Sequence, residues 1–119
     1  MYDHIGIKVR DLKAGIRFYK AVLADLGYQL CSRAETSAGL GPKDAPGLWL
    51  YAHAKAGGGA HIAFRSPSRA AVDSFYKAGL KAGGKDNGKP GLRKDYSPTY
   101  YAAFLIDPDG NNVEAVCVD

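Results

Sequence analysis

Apolar and polar positions alternate from the start of the chain: Ile5, Ile7 and Val9 are separated by Gly6 and Lys8. A period of two is the pattern of a half-buried strand. The period then lengthens. Leu12, Ile16, Tyr19, Leu23 and Leu26 recur at helical spacing, with Asp11 placed to cap the start and Gly27 to stop the end. The same succession returns further on. Ile62 and Phe64 alternate with His61, Ala63 and Arg65, and after Ser66-Pro67-Ser68 comes an apolar stripe of Val72, Phe75, Tyr76 and Leu80, closed by Gly83-Gly84. Four later stretches read as strands: YQLCSR, GLWLYAHA, YYAAFLI and NNVEAVCV. A further short strand is expected near Lys85, and DPDGN, from Asp107 to Asn111, reads as the tight turn joining the last two.

The recurrence is a repeat. Shifted by 57 positions, His4–Gly27 falls on His61–Gly84 with nine of 24 pairs identical and no gap. Self-similarity of this kind fixes the architecture before any single element does. It predicts an α+β fold of two βαβββ modules in one domain, residues 1–119, with repeats of about 1–56 and 57–119 meeting at the flexible Ala56–Ala60 run. The third strand of the first module is poorly defined around Gly39–Gly47. One helix covers a face of each sheet, and the other face is left for a ligand.

Composition narrows the function. A chain of 119 residues with 46% apolar content suits one compact domain and excludes disorder. No apolar run approaches the roughly 18 residues of a membrane span, and the N-terminal stretch has no signal-peptide core. Two cysteines, Cys31 and Cys117, are too few for a disulfide scaffold, and packing is their expected role. A cytoplasmic protein is expected. The net charge of +4 and pI of about 9.1 favour anions. The cations are scattered rather than striped and no nucleic-acid motif accompanies them, so a small anionic molecule is the expected ligand, with neither nucleic acid nor membrane as partner.

Three side chains carry the candidate chemistry. His4 and His61 open the two repeats at equivalent positions, and the repeat predicts that they face a common centre. Glu114 lies among apolar neighbours in the last strand, where a carboxylate is costly unless paired or bound to metal. Two imidazoles and a carboxylate form the two-His-one-carboxylate type of metal site, with positions open to substrate. The blander reading of each is a strand-end histidine or a solvated edge carboxylate. His53, on a face with Trp49 and Tyr51, is a fourth ligand, a base or a strand-end residue. Arg93, Tyr96, Tyr100 and Tyr101 gather on a loop entering a strand. There an arginine clamps a carboxylate or phosphonate and a tyrosine, Tyr101 the candidate, moves a proton, or else the group simply braces the loop. Lys8 and Arg65 add positive potential, and Trp49 offers an aromatic wall.

These residues resemble the vicinal oxygen chelate superfamily, which contains glyoxalase I, bleomycin-resistance proteins, extradiol dioxygenases and fosfomycin-resistance enzymes. The matching stretches are DHIGIKVRDLKAGIRFYKAVLADLG, HIAF and DPDGNNVEAV, and with the repeat they span nearly the whole chain. The resemblance implies modules that curve into an incomplete β-barrel, helices on its outer face, around a divalent ion (Mn, Fe, Ni or Zn) held by His4, His61 and Glu114. It implies a lyase, dioxygenase or thiol transferase, commonly a homodimer whose sites combine ligands from two chains. Trp49 stands near where glyoxalase I has a fourth ligand, which argues for a three-ligand site. The alternative is a metal-free protein that sequesters a drug or metabolite. Bleomycin is cationic, so the basic pI speaks against that ligand.

Overall fold

A computed structural model describes all of residues 1–119. The first module comprises β1 (Ile5–Val9), α1 (Leu12–Ala24), β2 (Gln29–Arg33), β3 (Ser37–Gly41) and β4 (Leu48–Ala52). The second comprises β5 (His61–Arg65), α2 (Arg69–Lys81), β6 (Lys85–Leu92), β7 (Tyr101–Ile106) and β8 (Asn112–Cys117). Each module is βαβββ, as the repeat predicts. The strand the sequence left vague is β3, which ends at Gly41 just before the Pro42–Pro46 turn.

Each module builds one four-stranded mixed sheet, in the orders β1-β4-β3-β2 and β5-β8-β7-β6. The first strand of each module pairs parallel with its last, and the remaining pairs are antiparallel. No strand of one sheet is bonded to a strand of the other, so the two sheets are not closed into a barrel.

Both helices begin and end by the same devices. The Asp11 carboxylate accepts the Ala14 N–H at 3.2 Å, and the Ser68 hydroxyl oxygen accepts that of Ala71 at 3.0 Å. Each satisfies a donor that the first turn cannot pair within the helix. At the far ends Gly27 and Gly83 are left-handed, with φ of 95° and 101°. Beyond them Tyr28 N–H donates to the Leu23 carbonyl at 3.1 Å and Gly84 N–H to that of Gly79 at 2.8 Å, the closure that a left-handed glycine permits.

The helices pack on their own sheets and on each other. Phe18, Val22 and Leu23 of α1, Val72 and Phe75 of α2, and Leu40, Leu50, Leu105 and Val113 of the sheets join one continuous core. Gly79 makes the approach possible. A Cβ there would stand 2.2 Å from Leu105 Cδ1 and 3.0 Å from Val22 Cγ1. A second tie crosses the modules at the β7–β8 turn, where the buried Tyr19 hydroxyl donates to Asp107 Oδ2 at 2.5 Å. The other Asp107 oxygen accepts the Asp109 and Asn111 N–H groups, and Asn111 Nδ2 donates to Oδ2. The predicted turn is therefore also the clasp between the repeats. No helix of the chain is long and apolar enough to cross a membrane.

Candidate functional site

Period-two alternation divides the second sheet into a helix-covered face and an open face. Ile62, Leu105, Val113 and Ala115 are core, and Ala63, Phe104 and Glu114 stand in register on the opposite side. Glu114 is therefore on the open face, yet only 2% exposed. Its neighbours in the row explain this: Ala63 is small and admits the carboxylate, and flanking side chains fold over it. His61 Nε2 lies 3.1 Å from Glu114 Oε1. The Tyr100 hydroxyl donates to Glu114 Oε2. Burial, then the bond to Glu114, push the Tyr100 hydroxyl up to about 12. It therefore stays a neutral donor at physiological pH.

The histidine is oriented from both sides. Its Nδ1 is 3.1 Å from the Asn112 carbonyl. A carbonyl only accepts, so Nδ1 carries a proton and Nε2 is the nitrogen directed at the carboxylate. His61 also stacks on Phe104, with centroids 6.4 Å apart and planes 21° from parallel. The Arg93 guanidinium covers the same phenyl ring at 5.4 Å and is anchored by a 2.6 Å bond from Nη2 to the Lys89 carbonyl. Tyr96 meets Tyr100 edge-on at 5.0 Å. Histidine, carboxylate, tyrosine and arginine thus share one patch around Phe104.

The expected common centre does not form within one chain. His4 precedes β1, is exposed, and pairs with Asp3 Oδ1 at 2.5 Å. No group of three His, Cys, Asp or Glu side chains that could hold a metal ion is present. The repeat guarantees that His4 and His61 are equivalent within their modules. Their separation depends instead on how the modules dock, and here α1 against α2 sets it.

Other expected residues are also elsewhere. Tyr101 faces the helix side: its hydroxyl donates to Asp73 Oδ1 of α2 at 2.7 Å, and Arg69 covers its ring at 5.2 Å. It is the adjacent Tyr100 that reaches the carboxylate. His53 is an exposed strand-end residue whose Nδ1 accepts the Lys55 N–H at 3.1 Å. Arg65, at the far end of β5 from His61, lines a separate cavity of 290 Å³ with Ser66 and Tyr28. Trp49 belongs to the first sheet and stacks on Tyr51 at 6.5 Å. Cys31 is half-buried with its thiol among backbone carbonyls, and Cys117 is in the core.

Phe104 is the residue of this patch that the motifs do not point to, although strand parity carries a signal for it. Tyr100, Ala102 and Phe104 share one parity, and Tyr101, Ala103 and Leu105 the other. Leu105 belongs to the core, so the same reasoning places Tyr100 and Phe104 beside Glu114.

A divalent ion fits part of this patch. His61 Nε2 and Glu114 Oε1 converge with the tautomer already set by Asn112, which is the outer-sphere support metal-binding histidines usually have. One chain supplies two donors of the three expected.

Comparison with known proteins gives a consistent answer. Residues 2–115 match the model of the Glyoxalase/Bleomycin resistance protein/Dioxygenase superfamily. A glyoxalase/bleomycin resistance protein from Albidiferax ferrireducens T118 is 28% identical and superposes with a TM-score of 0.88 over 98% of each chain. A glyoxalase/bleomycin resistance protein/dioxygenase family enzyme from Burkholderia phytofirmans PsJN gives 0.76 at 22% identity, again over 98% of both chains. A glyoxalase-related enzyme from Fulvimarina pelagi gives 0.75 at 17% identity, over 98% of this chain and 87% of its own. No protein of curated function matches the chain.

Proposed function

From the premise that the chain belongs to the glyoxalase/bleomycin resistance protein/dioxygenase superfamily, we propose that it is a divalent-metal-dependent enzyme acting on a small anionic substrate at the open face of the second sheet. The ligands are His61 and Glu114 with His4 from a second copy of the chain. The observation that carries this reading is the 3.1 Å approach of His61 Nε2 to the nearly buried Glu114 carboxylate. When bound, an ion such as Mn, Fe, Ni or Zn supplies Lewis-acid polarisation of substrate oxygens.

The chain's own residues do the rest. Arg93, held over Phe104 by the Lys89 carbonyl, keeps further N–H donors for a carboxylate or phosphonate. Tyr100 holds its proton at the Glu114 oxygen opposite the histidine and fixes the carboxylate's orientation. The His61 side chain is about half exposed, so one copy leaves the histidine side of this patch open to solvent. A homodimer supplies both the cover and the third ligand.

A second reading rests on a different observation. As an imidazolium, His61 gives its Nδ1 proton to the Asn112 carbonyl and its Nε2 proton to Glu114 Oε1. With Tyr100 on Oε2, both carboxylate oxygens are then satisfied within the chain, and no buried polar side-chain atom lacks a partner. The carboxylate thus has no need of a metal to be buried, as a metal-free binding protein requires. Elemental analysis of the purified protein separates the two. The enzyme reading expects about one Mn, Fe, Ni or Zn per chain, lost in each of His4→Ala, His61→Ala and Glu114→Gln. It expects one intact site in two in the purified heterodimer of His4→Ala and Glu114→Gln chains, which is about one site in four when equal amounts are mixed and left unsorted. Metal-free protein that takes up none of these ions on titration leaves the binding-protein reading.

A further inference from the structure

The first helix carries a feature that the site above does not use. Lys13, Arg17 and Lys20 recur at intervals of four and three on the exposed side of α1, and α1 contains no acidic residue. The scattered cations of the sequence are gathered here by the helical period. Arg33, the last residue of the edge strand β2, borders the same shallow, open groove, of 590 Å³. The floor of the groove is apolar, formed by Ile16 and Ala21.

Three observations bear on this groove, the first of which it shares with every Lys and Arg of the chain except Arg10. First, no carboxylate lies within ion-pair distance of any of the four cations: the ion pairs present are His4–Asp3, Arg10–Asp109 and His61–Glu114. Second, the fold does not require the stripe. The repeat aligns Lys13, Arg17 and Lys20 with Ala70, Ser74 and Lys77 on α2, so the equivalent helix has one cation of the three and carries Asp73 besides. Third, Arg17 is held in place by a bond from Nη2 to the Lys81 carbonyl at 3.1 Å, which fixes its fork at the groove edge.

The spacing selects the ligand. Lys13 and Lys20 are about 10 Å apart along the helix axis at 1.5 Å per residue. A single carboxylate or phosphate reaches one end of such a row and leaves the rest uncompensated. A chain of linked phosphates runs along it, and arginine adds two-pronged contacts that match phosphate oxygens. The apolar floor calls for a flat, weakly polar body attached to that chain. We infer that the groove between α1 and Arg33 is a binding site for a nucleoside oligophosphate, its phosphates along Lys13, Arg17, Lys20 and Arg33 and its base on Ile16 and Ala21. It lies on the helix-bearing side of the first sheet, apart from the Glu114 patch on the second.

The test is titration of the isotopically labelled full chain with ATP at about 150 mM salt, where weak surface attraction is screened, followed by amide NMR and calorimetry. Saturable shifts confined to Lys13–Ala24 and Arg33 support the inference. The variant Lys13→Gln/Lys20→Gln/Arg33→Gln, which leaves the Arg17 tie intact, is expected to bind about tenfold more weakly with an unchanged melting temperature. Adenosine alone is expected to give no saturable shift, and inorganic tripolyphosphate to bind several-fold more weakly than ATP. The inference is overturned by the absence of saturation, by shifts centred on His61 and Arg93, or by a triple variant that binds as well as the parent. Tripolyphosphate binding as tightly as ATP also overturns it, as does an oligothymidylate that binds where ATP does not.

Discussion

Trp49 and Glu114 occupy the same place in the two modules. Each stands beside the third residue of its repeat as counted from the histidine, Gly6 in the first sheet and Ala63 in the second. The strand next in order complements the choice: Gly39 lies beside the bulky indole, and Phe104 beside the smaller carboxylate. A Cβ on Gly39 would meet the Trp49 ring at 3.0 Å, so the duplicated scaffold holds an aromatic wall in one half and a carboxylate in the other. Only one of the two sheets therefore carries an acidic side chain at this level.

Glu114→Gln keeps the shape of that side chain and removes its charge. Affinity for Mn or Zn, measured by calorimetry on the stripped protein, should fall by about 100-fold or more, at least the upper end of what outer-sphere substitutions cost. His61→Ala should do the same, whereas His53→Ala should leave affinity unchanged. An equal effect of His53→Ala would remove the distinction between the patch and the strand end.

Tyr100 and Tyr101 are adjacent, and their parity predicts opposite consequences. Tyr100→Phe leaves a buried carboxylate oxygen without its donor, at a cost of about 1–3 kcal/mol, and should alter metal or ligand affinity as well. Tyr101→Phe removes the bond to Asp73 on the helix side and should cost about 1 kcal/mol with no effect at the site. Urea unfolding and ligand titration of the two variants check both halves of the statement.

Alkaline stability should report the same contact. The Tyr100 hydroxyl, pushed up to about 12, binds its proton more tightly in the folded chain than in the unfolded one, where tyrosine titrates near 10. Its contribution is thus complete below pH ~10 and is lost as pH rises toward ~12. Unfolding free energies of the parent should decline more steeply over that interval than those of Tyr100→Phe. Parallel curves would mean that the contact is absent in solution.

Asp107 should be the most sensitive position outside the core. It accepts from the Tyr19 hydroxyl, from two backbone N–H groups and from Asn111 Nδ2. Asp107→Ala orphans several buried donors at once, and a loss of about 3–5 kcal/mol is expected by chemical denaturation. Tyr19→Phe, which leaves the turn itself intact, should cost less, about 1–3 kcal/mol. Because the Tyr19 contact joins the modules, a separate early transition in Asp107→Ala would show that the repeats unfold independently once the clasp is cut.

Local pattern carried most of this fold. The alternation around Ile5 and Ile62, the caps at Asp11 and Ser68, the glycine stops and the Asp107–Asn111 turn are all decided within a few residues, so the sequence determined the βαβββ modules and their duplication. It did not determine that a histidine and a carboxylate meet in the second sheet, which follows from the parallel pairing of β5 with β8 that places Ala63 beside Glu114. What it left open was decided over longer distances. The tight crossing of α1 and α2 at Gly79 sets how the modules dock, and that docking leaves His4 with Asp3 rather than with His61. The phase of one strand against the core turned Tyr100 toward Glu114 and Tyr101 toward Asp73. Equivalence in a repeat follows from short-range pairing, whereas proximity follows from side-chain packing between modules, and only the folded chain supplies the second.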